Sequence, residues 1–364
     1  MSVVAADLRR LTREVLAPLA RAGERGRVNR PLVRALGEHD LLAAVLPLAG
    51  RPSALELCRI REALATESTE AETAFALQGL GAYPILAHGR PEAVERWIPD
   101  VVAGRSVAAF ALTEPEAGSD VASVELAAER TGGGWRLTGT KTWISNAPDA
   151  DLYTVFARTT AGAGARGLTA FAVPGDADGL SGRPLALVSP HAIGTLELDG
   201  VRVADEAVLG EVDGGFRVAM ETLNLFRPSV GAGAVGMAQA ALDAAVEHGG
   251  ARRAFGKPLR EFQAVSHALA EMATRLEAAR LLVTAAATAY DDGAAAVPKL
   301  SAMAKLYATE TAQFVVDRAI QIHGAAALEE GHLLEHLYRD VRALRIYEGA
   351  SEIQREIIAR ELYR

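Results

Sequence analysis

The sequence has little of what marks a secreted, membrane-bound or nucleic-acid-binding protein. Cys58 is the single cysteine among 364 residues, so an intramolecular disulfide is impossible and a reducing compartment is expected. The formal net charge of −8 argues against nucleic acid or an anionic bilayer as a non-specific partner. The opening residues lack the apolar core of a signal peptide, and we expect no apolar run of the sequence to be long enough to span a membrane. These absences predict a cytoplasmic protein with no nucleic-acid or membrane partner.

What the sequence does have is apolar surface and helix-forming residues. Half of the residues are hydrophobic, which is enough to build a sizeable core. Alanine and leucine carry this hydrophobicity more than β-branched or aromatic residues do, and that balance favours helix over sheet. A chain of this length suggests two or three packed units.

The hydrophobic pattern divides the chain into three regions. Apolar residues recur at helical spacing in residues 1–105, where Ser53 begins a capping box. Alternating, glycine-rich and threonine-rich segments dominate residues 106–214, and helical spacing returns in residues 215–364. The predicted fold is mainly α with an inserted β domain. It has an N-terminal helical domain, a middle β-barrel-like domain and a C-terminal four-helix bundle.

Two glycine-rich strings match the dinucleotide-binding fingerprint but lack its structural context. Residues 162–167 precede a strand-like run instead of the required helix, which favours a hairpin loop. Residues 231–236 are predicted to open a helix, but Asn224, Arg227 and Pro228 precede them where a buried parallel strand would be apolar. Close packing between helices explains the second string better.

Two other local patterns have short-range interpretations. Asp199 and Gly200, followed by an alternating segment, predict a β-hairpin. His332 and His336 stand four residues apart, so a helix would place both on one face where they could bind a metal. No third ligand is evident, and we predict no metal site.

Two polar segments of the middle region are suited to a planar cofactor. The first runs from Phe110 to Asp120 and ends a strand-like run in a turn rich in hydroxyls and backbone donors, which can line a polar ring or a phosphate. The second places Trp143 and Ser145 two residues apart, on the same side of a strand. An indole there can cover a ring face while the hydroxyl donates to a ring atom.

These segments, in this order over nearly the whole chain, resemble the acyl-CoA dehydrogenase family. The resemblance implies FAD as cofactor, with Thr113 near the pyrimidine ring and Ser119 near a phosphate or the thioester tail. It also implies that Ser145 donates toward flavin N5 and that Trp143 covers the ring. Further cofactor contacts follow by position at Phe110, Leu112, Gly118 and Ile144.

The C-terminal region adds segments that resemble the family's subunit interface. Residues 252–259 resemble the segment that reaches the FAD of a neighbouring subunit, with Arg252 on the pyrophosphate, where a guanidinium donates two parallel hydrogen bonds. The resemblance therefore implies a homotetramer built as two dimers. It assigns cofactor contacts in this region to Arg252, Phe255, Gln263, Gln321, Gly324 and Ser351.

The run from Arg345 to Gln354 is the most specific match, and it contains the predicted catalytic base Glu348. The α-proton of a thioester is weakly acidic, so a carboxylate must be desolvated and held close while the carbonyl is polarised. In the family, the backbone N–H of this glutamate and a ribityl hydroxyl form the oxyanion hole. The resemblance places substrate contacts at Ser119, Asn224, Arg227 and Gly349.

The predicted activity is FAD-dependent introduction of an α,β double bond into an acyl thioester. The acyl carrier is CoA or a carrier protein, and the expected electron acceptor is an electron-transfer flavoprotein. A flavin oxidase or monooxygenase on the same scaffold, or a non-catalytic FAD-binding member, are the alternatives.

Three departures from the family bear on the substrate and the cofactor. The segment between Ala43 and Ser53 is shorter than the family's glycine-rich loop, which walls the acyl pocket. Residues 325–327 are alanines where the family has further glycines, and Asn224 replaces an acid. The acyl group is therefore left open.

Overall fold

The computed structural model of the chain describes residues 3–189 and 191–363. The first part is helical, as predicted, and Ser53 caps a helix by accepting a hydrogen bond from the Glu56 amide at 3.2 Å. The helices are α1 (Val3–Leu11), α2 (Ala17–Arg21), α3 (Arg30–Glu38), α4 (Leu41–Val45), α5 (Ala54–Glu67), α6 (Thr69–His88) and α7 (Pro91–Val102), with a π-helical turn at Thr12–Leu16.

The middle part forms one eight-stranded mixed sheet in the order β6-β7-β3-β2-β4-β5-β8, with β1 pairing parallel to β4. β4 and β5 are buried along almost their whole length, which explains their nearly continuous apolar sequence. The strands are β1 (Ala108–Ala111), β2 (Ala127–Thr131), β3 (Gly134–Ser145), β4 (Leu152–Arg158), β5 (Leu168–Pro174), β6 (Leu180–Pro184), β7 (Ile193–Ala204) and β8 (Val208–Leu209).

The hairpin predicted at Asp199 and Gly200 is wrong. β7 runs without a break through both residues and stays paired with β3. Gly200 has a φ of +66°, and the register with β3 shifts between Leu137 and Gly139. The left-handed glycine therefore makes a β-bulge, in which two residues oppose one, instead of reversing the chain.

The last part of the chain is helical, as predicted. Where the prediction has the fourth helix of a bundle, the structure has two shorter helices separated by a turn. A small hairpin of β9 (Arg253–Ala254) and β10 (Lys257–Pro258) follows the first long helix. The helices are α8 (Gly215–Ala251), α9 (Gln263–Asp291), α10 (Val297–His323), α11 (Leu333–Leu344) and α12 (Ser351–Leu362). The order of helices, sheet and helices confirms the predicted fold class.

Neither glycine string forms a nucleotide-binding turn. Residues 162–167 lie in the loop between the antiparallel β4 and β5, and residues 231–236 lie inside α8. A Cβ atom on Gly231 would come within 2.8 Å of Val283, and one on Gly236 within 2.4 Å of the Glu62 carbonyl. Both interpretations from sequence, a loop and close helix packing, are confirmed.

The chain forms two compact units that interleave along the sequence. The helical unit contains residues 3–17, 53–72 and 224–363, and the sheet unit contains residues 18–52, 73–189 and 191–223. Each unit has its own buried apolar residues, such as Leu276 and Val316 in the first and Phe156 and Phe171 in the second. The domain boundaries after residues 105 and 214 stay predictions.

One described helix, α8, is long and apolar enough to cross a membrane by length and composition alone, contrary to our expectation. Its most apolar window is 78% buried inside the protein. Small residues in this helix pack against neighbouring helices, so its apolar composition is explained by the core. The cytoplasmic location stays a prediction.

Candidate functional site

The predicted base lies in a tight turn of the helical unit, which we call the Glu348 turn (residues 345–350). Glu348 has a φ of +51° and Gly349 a φ of +94°, so two consecutive residues adopt the left-handed conformation and end the helical path between α11 and α12. Such a backbone is costly for a residue with a side chain and persists only where the surroundings hold it. The φ of Gly349 lies in a region that side chains rarely adopt, which favours glycine there, and an added Cβ would also displace the Gln354 Nε2 atom, 2.5 Å away.

The Glu348 carboxyl group has the environment expected of a base. Its Oε2 atom is buried and makes no hydrogen bond with any described residue. Burial raises the pKa of Glu348, and the nearby cations Arg61, Lys305 and Arg227 offset only part of that effect. The carboxylate is thus desolvated and keeps one oxygen available to accept a proton.

Three polar side chains fix the backbone of the Glu348 turn. Lys305 Nζ donates to the Gly349 carbonyl at 2.8 Å, and Gln354 Nε2 donates to the same oxygen at 2.8 Å. Arg227 Nε approaches the Glu348 carbonyl at 3.4 Å. The structure therefore brings the predicted substrate residues Arg227 and Gly349 together with the predicted base.

An ion pair next to this group escaped the sequence analysis. Arg61 and Glu72 are 2% and 1% exposed, and Arg61 Nε donates to Glu72 Oε1 at 2.5 Å. Arg61 also donates to Ser229 Oγ at 2.7 Å. A Cβ on Gly233 would come within 2.6 Å of Glu72 Oε1, so α8 carries glycine here to leave room for the pair.

A sequence signal for these buried charges exists in retrospect. Arg61 follows Leu57 by four residues and precedes Leu64 by three, which places it on the apolar stripe of α5. Lys305 stands four residues from Ser301 and from Thr309 on α10, within a run of buried small residues. A charge on the buried stripe of a helix is the pattern to search for.

Two other residues predicted at this site have side chains in different surroundings. Ser351, predicted to contact the cofactor, is 3% exposed, and its hydroxyl donates to Glu310 Oε1 at 2.7 Å. That hydroxyl stabilises the start of α12. Asn224, predicted to contact substrate, is partly buried one turn before Arg227 on α8.

In the sheet unit, the structure brings the two predicted flavin segments together. The Thr142 amide donates to the Thr113 carbonyl at 3.0 Å. Beside it, Lys141 Nζ donates to Glu114 Oε1 at 2.8 Å and to the Leu112 carbonyl at 2.9 Å. Glu114 is therefore a structural clamp, and burial lowers the pKa of Lys141 to about 8.

The surface next to this clamp fits a planar polar cofactor. Trp143 is 53% exposed with a φ of +57°, at a register shift between β3 and β7. Ile144 is buried and Ser145 half-buried, so the exposed indole is available to a ligand. The register shift between Lys141 and Ile144 interrupts the regular strand on which the sequence placed Trp143 and Ser145 on the same side. Gly118 faces open space, where an added Cβ would meet nothing, and Ser119 next to it is exposed.

Phe110 and Leu112, the other cofactor contacts predicted in the middle region, have side chains that pack toward the protein core beneath this surface. Phe110 packs its ring on Phe156 with centroids 4.9 Å apart, and Leu112 is 8% exposed. Their side chains support β1, so any cofactor contact there involves the backbone or a ring edge.

The predicted interface segments of the helical unit form one cluster. The β9-β10 hairpin turns at Phe255 and Gly256, both with positive φ, and presents Phe255 with 95% of its surface exposed. Phe255 meets Phe262, which precedes Gln263 at the start of α9. Arg252 at the base of this hairpin is exposed.

A histidine stack connects this hairpin with the second predicted segment, and the sequence analysis missed it. His248, whose carbonyl accepts from the Arg252 amide at 2.8 Å, stacks on His323 with ring centroids 4.1 Å apart. His323 lies between Gln321 and Gly324, which are exposed at the end of α10. The structure thus brings together the end of α8, next to the predicted pyrophosphate contact Arg252, and the end of α10, with the predicted cofactor contacts Gln321 and Gly324.

The pair His332 and His336 has structural partners. His332 Nδ1 accepts from the Leu334 amide at 3.1 Å and so caps α11. His336 Nε2 lies 2.8 Å from Thr69 Oγ1 and 3.1 Å from Asp340. Across residues 3–189 and 191–363, no group of three or more histidine, cysteine or acidic side chains is arranged to hold a metal ion.

Comparison with known proteins gives matches over the whole chain. Sequence profiles of the acyl-CoA dehydrogenase N-terminal, middle and C-terminal domains match residues 3–105, 109–201 and 213–363. The chain is 36% identical to cyclohexane-1-carbonyl-CoA dehydrogenase of Geobacter metallireducens, over 99% of this chain and 96% of that protein. It is 38% identical to the CarC subunit of the caffeyl-CoA reductase-Etf complex of Acetobacterium woodii, over 76% and 73%.

Solved structures agree with these matches. Butyryl-CoA dehydrogenase from Megasphaera elsdenii superposes with a TM-score of 0.93 and 31% identity, over 100% of this chain and 99% of that one. The FAD complex of PigA superposes with a TM-score of 0.94 and 26% identity, over 100% and 98%.

Proposed function

Because the chain belongs to the acyl-CoA dehydrogenase family of FAD-dependent oxidoreductases, we propose that Glu348 is the base that removes the α-proton of an acyl-CoA. The observation that carries this proposal is the buried Oε2 of Glu348, which has no hydrogen-bond partner among the described residues. A carboxylate that water does not solvate binds a proton more strongly than one on the surface.

The residues around Glu348 have distinct tasks in this proposal. Lys305 and Gln354 hold the Gly349 carbonyl, which keeps the Glu348 turn in its left-handed conformation. The backbone N–H of Glu348 donates to the thioester oxygen, where negative charge develops as the α-proton leaves. Arg227 adds positive charge beside the same turn. The proton passes to Glu348, and the α and β carbons form a double bond.

FAD, when bound, supplies the acceptor for the hydride that leaves the β-carbon. In the sheet unit, Thr113, Ser119, Trp143 and Ser145 form its flavin-binding surface, with the exposed indole available to cover a ring face. Arg252 of the helical unit is proposed to hold the pyrophosphate of a neighbouring subunit's FAD, with Gln321 and Gly324 as further cofactor contacts next to the histidine stack.

We further propose CoA, not a carrier protein, as the acyl carrier, and an electron-transfer flavoprotein as the electron acceptor. The first choice rests on relatives whose names specify CoA thioesters, including a cyclohexane carbonyl and a butyryl substrate. The second rests on the relative that is a subunit of a caffeyl-CoA reductase-Etf complex.

The test is anaerobic titration of the purified FAD-loaded protein with straight-chain, branched, cyclic and aromatic acyl-CoA thioesters. We expect at least one to bleach the oxidised flavin absorbance and to yield its α,β-unsaturated product. If acyl groups on a carrier protein reduce the flavin and CoA thioesters do not, the proposed carrier is wrong. Hydrogen peroxide release at the turnover rate under air would identify an oxidase instead.

The matched variant is Glu348→Gln, which keeps the size and removes the base. It is expected to retain FAD and to reduce its flavin about 100- to 10,000-fold more slowly, which is the factor that a proton acceptor typically contributes. A variant that reduces its flavin at the wild-type rate would place the base elsewhere.

A further inference from the structure

Lys305 is the one described lysine outside the sheet unit with no exposed surface, and no motif accounts for it. It lies on α10 with 0% of its surface exposed. A buried ammonium group is unfavourable unless its charge and its donors are compensated. Its buried neighbours Ser301, Ala302 and Thr309 carry no charge, and Glu310 on the same helix is a weaker opposite charge for Lys305 than Glu348 on another element.

The Glu348 turn supplies that compensation. Lys305 Nζ donates to the Gly349 carbonyl at 2.8 Å. The Glu348 carboxyl is the strongest opposite charge near Lys305 and raises its pKa, while burial lowers it to about 8. In the reverse direction, Lys305 lowers the pKa of Glu348. The charge of Lys305 and the charge of Glu348 therefore each shift the pKa of the other residue.

We propose that Lys305 is a positioning residue for Glu348: its ammonium group fixes the Gly349 carbonyl and provides buried positive charge beside the carboxylate. The inference rests on the proposed role of Glu348 as the base. The hydrogen bond from Lys305 to the turn goes to a backbone carbonyl, so in this proposal Lys305 acts on the reaction through Glu348.

Other charged residues also lie near Lys305 and Glu348, and the test must separate their effects from that of Lys305. Glu348 also lies in the field of Arg61, Arg227 and Glu72. Lys305 faces Arg227, Glu310 and Glu352 besides Glu348. Of these, Glu310 is paired with Arg345 at 2.9 Å. Removal of Lys305 leaves these other charged residues in place. A change in the pKa of Glu348 can therefore be assigned to the loss of the lysine.

A structural role in the turn is the competing explanation, and the geometry allows the two to be separated. Without Lys305, the Gly349 carbonyl still accepts from Gln354 Nε2 at 2.8 Å. The turn therefore keeps one of its two donors in Lys305→Met, which has a side chain of similar volume. Lys305→Gln is a second uncharged variant, and Lys305→Arg keeps the charge.

The experiment titrates the Glu348 carboxyl of the FAD-loaded protein by infrared spectroscopy, with the band assigned by its loss in Glu348→Gln. In Lys305→Met and Lys305→Gln the titration midpoint is expected to rise by about one pH unit, the lower end of the shift that a nearby opposite charge causes. Lys305→Arg should restore the wild-type midpoint. Lys299→Met, a partly buried lysine at the start of the same helix, is the control and should leave it unchanged.

Flavin reduction by the best acyl-CoA gives the second readout. Below the midpoint, Lys305→Met is expected to react about tenfold more slowly than wild type, with the rate recovering at higher pH. Equal infrared midpoints, or a loss of rate that is the same at every pH, would overturn the inference. If no thioester reduces the wild-type flavin, the proposed function fails, while the infrared midpoints still decide the role of Lys305.

Discussion

At the scale of single residues, Glu348 lies where its charged form is disfavoured. Its carboxyl has a raised pKa because it is buried, and its backbone has a positive φ. The buried carboxyl and the backbone with positive φ both cost stability, and both suit a base that must be shielded from water and held in one orientation. Functional groups of this kind commonly trade stability for activity.

Glu348→Gln is therefore expected to be more stable than wild type at neutral pH. A raised folded pKa means that the folded protein holds the Glu348 proton to higher pH than the unfolded chain, so stability is lost as pH rises from the ordinary value of 4.5 through the folded pKa. The melting temperature of wild type should fall relative to Glu348→Gln over this window. Glu356→Gln, at an exposed position of α12, is the control, and an equal pH dependence in both variants would contradict the assignment.

The Arg61–Glu72 pair predicts a large single-mutant effect. Arg61→Met leaves the buried Glu72 carboxylate without its guanidinium and is expected to cost about 3 to 5 kcal/mol of unfolding free energy. Arg61→Met with Glu72→Gln should regain most of that loss, because the stranded charge is gone. Urea unfolding measures both variants. Arg10→Met, from an exposed pair with Asp7, should change stability by less than about 1 kcal/mol.

At the scale of elements, the ends of α8 and α10 meet through two imidazole rings. Burial lowers the pKa of His248, and the charges of His323, Arg252 and His332 lower it further. A proton on His248 would therefore be unfavourable in this stack. The contact should hold at neutral pH and weaken in acid.

The corresponding prediction concerns the acid side of the stability profile. The unfolded chain protonates His248 near its ordinary pKa of 6.5, whereas the folded protein protonates it only at a lower pH, so stability falls as pH drops from that value through the lowered folded pKa. His248→Phe keeps a ring against His323 and removes the titration. Its melting temperature should fall less than that of wild type between pH 7 and pH 5 in a thermal scan. His267→Asn, at an exposed position of α9, is expected to follow wild type.

At the scale of the whole molecule, the homotetramer stays a prediction of the family resemblance. Large apolar side chains remain exposed on the helical unit, including Leu281 on α9 at 61%. An association that covers them would explain their exposure in a protein whose surface is otherwise charged.

Sedimentation of the FAD-loaded protein tests this assembly. Wild type is expected to sediment as a tetramer, and Leu281→Asp is expected to shift it toward smaller species. Because residues 252–259 resemble the segment that serves a neighbouring subunit, loss of assembly should also release FAD. Thr288→Asp, at an exposed position of the same helix, is the control. A wild-type monomer that retains FAD would contradict both parts.

Much of the fold could be predicted from local patterns, and the candidate base from the family resemblance of the run from Arg345 to Gln354. Helical spacing and the Ser53 cap depend on a few neighbouring residues, so they can be recognised in the sequence. The hairpin at Gly200 was wrong because a glycine with positive φ serves a turn and a bulge equally well. Only pairing along the whole of β3 and β7 separates the two.

The sequence by itself, through its family resemblance, determined which residues are predicted to bear the chemistry: Glu348 as the base, and Thr113, Ser145 and Trp143 at the flavin. The tertiary structure decided how far the pKa of the Glu348 carboxyl is shifted from its ordinary value. Lys305 precedes Glu348 by 43 positions and Arg61 lies far earlier still, yet both influence its carboxyl. Such influence depends on distance and burial in space, which no spacing along the chain encodes.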